Sequence, residues 1–367
     1  MLNNDHFYLL ALQAIDGIGD INARKLIEHC GSAQQVLEEK PTVLEKIKGV
    51  GPVISGKIKN KKIFEKAEKE LRFIDANNVE IISYWDESYP LRLRECNDAP
   101  LILFKRGNFD LRKQRIISIV GTRMMTLYGK RFLERFLADL QCYDPIIVSG
   151  LAYGIDICAH KEALNNDLTT VGILAHGFDR IYPKTHSQIA LKMLDHGGFY
   201  TEFCSGTTPE KMNFVKRNRI VAGISEATIV VESARKGGSL ITADLANSYY
   251  RDVFAVPGRI DDLYSEGCNM LIKGNKAAMI TSVKDLEYIL GWKADKKNVK
   301  EIQKSMFLDL NPGERLVFNR LNACEKQVLD VLAPACKMSV QKTVGILLQL
   351  ELKGLIRSLP GKWYQAI

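Results

Sequence analysis

Between Ile116 and Val256, short apolar runs alternate with helix-length segments of mixed polarity. The runs are Ile116 to Val120, Pro145 to Val148, Thr170 to Leu174, Ala227 to Val231 and Asp252 to Val256, each rich in Ile and Val and lacking an apolar/polar alternation. A strand reads this way when helices bury both its faces. The intervening segments, among them Tyr128 to Leu140, Cys158 to Asn165 and Thr185 to His196, have helical length and mixed polarity. The order strand, helix, strand, helix predicts an α/β fold with a parallel, doubly wound sheet. GFYTE (Gly198 to Glu202) adds a less apolar strand.

Small or charged residues follow these strands: Gly121-Thr122-Arg123, Ser149-Gly150, Gly177, and Lys236-Gly237-Gly238-Ser239. Open α/β sheets bind ligands beyond the carboxyl ends of their strands, where helix N-termini offer free N–H groups to anions. A glycine-lined, phosphate-seeking site is expected there. Gly237, Gly238 and Ser239 suit a turn that brings backbone close to a phosphate, with Ser239 also able to cap the next helix.

The most informative segment is KMNFVKRNRIVAG, with Lys211, Lys216, Arg217 and Arg219 inside nine residues and Phe214 and Asn218 among them. On a helix, Lys211, Phe214 and Asn218 share one face. An aromatic ring beside cations suits a single strand of nucleic acid, the ring stacking on a base and the cations following the phosphates. For Arg217 and Arg219 the competing expectation is a structural salt bridge to Glu202 or Glu232.

Ahead of the sheet, IDGIGDINARKLIEHCG (Ile15 to Gly31) and IKGVGPVISGKIKNKK (Ile47 to Lys62) repeat the pattern Ile-x-Gly-x-Gly followed by a helix. Each resembles a helix-hairpin-helix motif, whose turn frees N–H groups for a phosphate. The second copy is followed by Lys57, Lys59, Lys61 and Lys62, the first only by Arg24 and Lys25; a plain tight connection between helices explains such a turn equally well. Residues 1–72 are expected to form this helical domain, 73–291 the sheet domain, 292–312 a lysine-rich linker and 313–367 a small tail domain. The tail offers a helix at Glu325 to Leu332, another at Ser339 to Lys353 and a hairpin in LIRSLPGKWYQA.

With 367 residues, 46% of them hydrophobic, the chain can build two or three domains, and its formal charge of +8 favours an acidic partner. Eight cysteines, none in a C-x-x-C pair, read as free thiols of a reducing compartment. His176, His186 and His196 recur at intervals of ten, which does not put them on one helical face, so no metal site is expected. The N-terminus has no basic segment leading into an apolar one and no run reaches membrane-spanning length, so a cytoplasmic protein without membrane contact is expected. Neither G-x-x-x-x-G-K-[ST] nor G-x-S-x-G occurs.

SIVGTR at Ser118, IVSGLAYGIDICAH at Ile147, DRIYP at Asp179, NFVKRNRIVAG at Asn213, KGGSLITA at Lys236 and VFAVPG at Val253 resemble, in order, the signature blocks of the DNA-processing protein A (DprA/Smf) family. The resemblance implies an extended Rossmann-like central domain, an N-terminal helix-hairpin-helix (SAM-like) domain and a C-terminal winged helix. It also implies single-stranded DNA binding, a homodimer formed through the central domain, and loading of the recombinase RecA in natural transformation. No cofactor and no enzymatic activity are expected. Arg123 and Lys184 match positions of its basic DNA contacts. The nucleic-acid-binding set is then Gly121, Arg123, Ser149, Gly150, Lys184, Lys211, Phe214, Arg217, Asn218, Arg219, Lys236, Gly237, Gly238 and Ser239. Gly237 departs from the family's usual Ser-Gly-Ser-Leu, a change expected to loosen the turn. The winged helix is expected to be reduced, since six residues between its two helices leave no room for a third; Leu347, Leu348, Leu350, Leu352 and Leu355 are expected to be core or a protein-contact surface. The alternative is a nucleotide-binding hydrolase that releases a base from nucleoside monophosphates, with Asp244 as the loop carboxylate, although Leu240 and Ile241 stand where such a loop needs Gly and Thr.

Overall fold

The computed structural model describes residues 4–58, 60–111, 115–293, 310–322, 326–353, 355–359, 361 and 363–366. By contacts the chain divides into two units, 1–298 and 299–367. The first unit opens with six helices, α1 (Asn4–Gln13), α2 (Asp20–Cys30), α3 (Ala33–Glu38), α4 (Pro41–Leu44), α5 (Pro52–Ile58) and α6 (Lys62–Ala76). Then follow β1 (Glu80–Ser83), α7 (Leu91–Arg94), β2 (Ile102–Gly107), β3 (Ile116–Val120), α8 (Leu127–Leu140), β4 (Ile146–Ser149), α9 (Ile155–Asn165), β5 (Thr170–Ile173), α10 (Ser187–Asp195) and β6 (Gly197–Thr201). The unit closes with α11 (Lys211–Ile224), β7 (Ala227–Val230), α12 (Gly238–Ser248), β8 (Asp252–Ala255), α13 (Glu266–Lys273), β9 (Ala278–Met279) and α14 (Val283–Leu290).

The nine strands make one sheet in the order β1-β2-β6-β5-β4-β3-β7-β8-β9. The six expected strands all lie in it and run parallel, from β6 through β3 to β8. β1 and β2 add an antiparallel edge beyond β6. The unbroken apolar runs have a direct cause in β3, where Ile116 and Val120 join the core on one face while Ile117 and Ile119 join the core on the other. Ser118, also buried there, donates its hydroxyl to the Val221 carbonyl at 2.6 Å, so the polar atom sits inside the sheet without loss.

The N-terminal helices are continuous with this sheet. Helix α6 runs through the boundary expected at residue 72, and Leu9, Leu26 and Ile74 share a core with Phe104, Leu174 and Phe199. Both Gly-x-Gly turns take the same left-handed conformation, with φ of 98° at Gly17 and 99° at Gly49, which a side chain resists. The turns are tied to each other: Lys57 donates to the Asp16 carbonyl at 2.9 Å and Asn22 to the Gly49 carbonyl at 3.3 Å. Lys57, expected to neutralise a phosphate, is thus occupied by the partner turn, while Lys59 lies outside the described residues.

Arg219 of α11 locks the helices to the sheet. It reaches Glu202 beyond β6, Asp20 of α2 at 3.1 Å and the Asp98 carbonyl, with 8% of its side chain and 2% of that of Glu202 exposed. Asp20 also accepts the Leu101 N–H at 3.0 Å, and Glu70 of α6 accepts the Ser205 hydroxyl at 2.6 Å. Arg219 was expected to touch DNA; it is a buried structural ion pair instead, because two carboxylates converge on it.

In the second unit α15 (Pro312–Asn322), α16 (Leu329–Ala335) and α17 (Val340–Leu352) pack on a three-stranded sheet of β10 (Gln327–Val328), β11 (Ile356–Leu359) and β12 (Trp363–Ala366) in the order β10-β12-β11. The winged helix is therefore not reduced. The helix held to be missing precedes the other two rather than lying between them; Leu329–Ala335 is itself the middle helix. Its expected start at Glu325 and the side chain of Leu352 lie outside the described residues, as do 294–309 of the expected linker. Leu347, Leu350 and Leu355 are buried, whereas Leu348 joins Val340 and Val344 in an exposed stripe along α17. Among the described residues no single helix is long and apolar enough to cross a membrane.

Breaking a buried ion pair on one side leaves the other charge unsolvated. Arg219→Leu is expected to lower unfolding free energy by about 3 to 5 kcal/mol in chemical denaturation. A loss below about 1 kcal/mol would show that the helices are held by apolar packing without it.

Candidate nucleic-acid interface

From β3 the chain steps outward through β4, β5 and β6, then returns to the opposite side of β3 with β7. Connections diverge at the carboxyl ends of β3 and β7, which is where such sheets open a crevice. A crevice of about 580 Å³ lies there, lined by Gly121 and Arg123 after β3, by Lys211, Phe214, Arg217 and Asn218 of α11, and by Lys236, Gly237, Gly238 and Ser239 before and in α12. Ten expected site residues thus meet in one place. Ser149, Gly150, Lys184 and Arg219 are not among its lining residues.

Each wall has a local cause. Gly121 passes so close to α9 that a Cβ would lie 2.5 Å from Ile155 Cγ1. Arg123, exposed, sets its guanidinium carbon 5.4 Å from the centroid of the half-buried Phe214 ring, within cation–π range. Tyr182, 42% exposed, stands 5.9 Å from the same ring at a tilt of 55°. As the helical spacing requires, Lys211, Phe214 and Asn218 all face the crevice. Lys216, on another side of α11, pairs with Glu202 at 3.2 Å.

Arg217 is in the crevice floor rather than on its rim. Its side chain is buried and donates to the Ile173 carbonyl, and its Nε has no partner among the described residues. Gly150 serves it, since a Cβ at 150 would run into the guanidinium. Asp156 stands near it and accepts the Gly150 N–H at 3.2 Å. Burial drives Arg217 down to about 10, against the pull of Asp156, so the guanidinium stays charged at neutral pH. Burial also raises the Asp156 carboxyl, with Arg217 opposing the rise.

Two expected contacts are corrected by burial. Ser149 is fully buried and donates its one hydroxyl proton to the Ile119 carbonyl at 2.6 Å, so it ties β4 to β3 out of reach of a ligand. Gly150 makes room for Arg217, as above. Lys184 is exposed in the short turn Lys184–His186 and does not line the crevice; Tyr182, two residues before that turn, is the side chain of this loop that reaches Phe214.

At α12 the helix N-terminus opens into the crevice with the positive end of its dipole, while the Leu240 N–H turns back to the Gly237 carbonyl at 3.2 Å. Ser239 does not cap it: its hydroxyl donates to Ser233 Oγ at 2.8 Å. Nor is the turn loosened by Gly237, whose N–H reaches the Ala234 carbonyl at 2.9 Å and whose missing side chain leaves its space to the Ser233 hydroxyl. Glu232, the other acid considered for the arginines, accepts the Thr126 N–H at 2.9 Å and holds the start of α8.

Asp244 points elsewhere. It pairs with Lys276 at 2.9 Å on an exposed surface and does not line the crevice, while Ile241 does and Leu240 is buried. The acid that does face the crevice, Asp156, was missed: it sits inside the quoted block GLAYGID, yet only the fold reveals its arginine. His160, hydrogen-bonded to Thr170 Oγ1 at 2.7 Å, is driven by burial to about 3 and is a neutral core histidine.

Comparison with known proteins agrees with this architecture. Residues 80–290 match the family model described as DNA recombination-mediator protein A, and residues 308–362 that of the DprA winged helix domain. Protein Smf of Synechocystis sp. is 30% identical over the whole of both chains, and Protein Smf of Escherichia coli is 34% identical over 80% of this chain and 79% of its own. Among solved structures, DNA processing protein A of Streptococcus pneumoniae superposes with a TM-score of 0.64 at 32% identity, covering 77% of this chain and 97% of that one. That of Helicobacter pylori, whose structure concerns a single-stranded DNA binding mode, gives 0.52 at 28% identity over 58% and 95%. With a family model over more than half its length and a relative matched from end to end, the chain belongs to the DNA recombination-mediator protein A (DprA/Smf) family.

Proposed function

We propose that this chain is a non-catalytic, cytoplasmic single-stranded DNA-binding protein of DNA uptake, acting as a homodimer through its central domain and handing the bound strand to RecA for recombination. The helical, sheet and winged-helix parts are assigned by the same reading, with α6 carrying the chain from the helices into the sheet and Pro312–Asn322 opening the winged helix. The observation that carries the DNA part is the Phe214 ring beside Arg123 inside a crevice at the sheet's switch point. A base stacks on Phe214, with Tyr182 at its edge, and phosphates meet Arg123, Lys211, Lys236 and the N-terminus of α12. Arg217 acts from the floor, and Asn218 and the Gly238 N–H offer hydrogen bonds. The relative from Helicobacter pylori supports this choice of ligand. RecA loading and dimerisation rest on family membership.

Lysines and arginines displace counterions, so single-strand affinity of the full chain should fall steeply and linearly in log-log form as salt rises. Fluorescence anisotropy with an unstructured oligonucleotide measures it, and a flat salt response would refute the electrostatic assignment. Phe214→Ala should cost about 1 to 3 kcal/mol of affinity with little change in that slope. Arg123→Ala should weaken binding and lower the slope by about one counterion. If Phe214→Ala lowers the melting temperature but binds DNA normally, stacking occurs at another residue.

Asp244, the loop carboxylate that the hydrolase reading needs, is engaged outside the crevice, and the carboxylate that does line it, Asp156, stands beside Arg217 on the floor. Asp244→Asn should therefore leave DNA binding unchanged. Release of a free base by the native chain, abolished by this substitution, would favour the hydrolase instead.

A further inference from the structure

The loop that walls the crevice with Arg123 leads directly into α8, and on its far side lies a second hollow of about 350 Å³ between α8 and the end of β8. Tyr128 is fixed across it by a hydrogen bond from its hydroxyl to the Pro257 carbonyl at 2.6 Å, with 48% of the residue still exposed. Phe132 closes it beneath. Arg131 and Arg135, one helical turn apart and both exposed, stand over it, Arg135 within 3.5 Å of the Thr281 carbonyl.

Nearby acids are engaged elsewhere. Glu134 is 3.5 Å from Lys130, and Asp285 accepts the Thr281 and Ser282 N–H groups at 2.7 and 3.0 Å. Between the two hollows the exposed surface carries Met124 at 66% and Leu127 at 61% exposure. Along Arg123 to Arg135 the exposed residues fall in blocks: Arg123, then Met124, Leu127 and Tyr128, then Lys130, Arg131 and Arg135, with Glu134 beside Lys130. An apolar and aromatic block between cations gives a single strand a surface for its bases and charges for its phosphates on either side.

We propose that α8 carries a second subsite for the same strand: single-stranded DNA leaving the crevice crosses Met124 and Leu127, sets a base against Tyr128 and places its phosphates on Arg131 and Arg135. This rests on the single-strand reading of the crevice, and strand length separates the two. The experiment compares the full native chain with the double variant Arg131→Ala/Arg135→Ala on oligothymidylates of roughly four and roughly sixteen nucleotides. Thermal unfolding checks that these two exposed substitutions leave the fold intact. The native chain should bind the longer strand more tightly; the double variant should match it on the short strand, lose tenfold or more on the long one, and show a salt slope there lower by about one to one and a half. Equal binding of the long strand by both proteins overturns the subsite, as does equal loss on both lengths, which would mean a general field effect. If the native chain binds neither length, the crevice reading itself has failed and the subsite falls with it.

Discussion

The crevice depends on how α11 is held, and α11 is held by two buried arginines. Successive helix residues are turned by about 100°, so Arg217 and Arg219 leave opposite flanks and Asn218 faces midway between them. Arg217 runs to the Ile173 carbonyl at the end of β5, and Arg219 to Glu202 and Asp20. With both flanks fixed, the face between them, Lys211, Phe214 and Asn218, has one orientation, into the crevice. The buried run Ile220 to Ile224 seats the rest of the helix in the core.

This arrangement makes the N-terminal helices part of the site's support. Asp20 is 199 residues away from Arg219 in sequence, yet its carboxylate completes the pocket that keeps the guanidinium charged and buried. The two Gly-x-Gly turns, spending Lys57 and Asn22 on each other's carbonyls, stiffen the same helical block. Their geometry serves packing first.

What the sequence made legible was whatever repeats locally. The strands of the doubly wound sheet, Gly121, Gly237 and Gly238 at their ends and the Lys211, Phe214, Asn218 face all follow from spacing, and the structure brings them together. Partner choice was not legible: whether Arg219 meets a phosphate or Asp20, whether Ser149 faces a ligand or Ile119, and whether Ser239 caps its helix or binds Ser233 are decided by residues distant in the chain or hidden by the fold. The winged helix shows the same limit in reverse. Its first helix, Pro312–Asn322, follows the lysine-rich stretch and was absorbed into its surroundings, so a complete module read as a truncated one.

Arg217 also separates two kinds of positive charge. Arg123, Lys211 and Lys236 are exposed and hydrated, so their field reaches outward and is weakened by salt; such groups govern how fast an anion arrives. Arg217 is buried and held by the Ile173 carbonyl, so its attraction, offset in part by Asp156 beside it, is screened less and loses little side-chain freedom when the crevice fills. Its contribution falls on dissociation. A strand captured by the rim would be retained by the floor, and the lifetime of the complex would vary with ionic strength less than its rate of formation does.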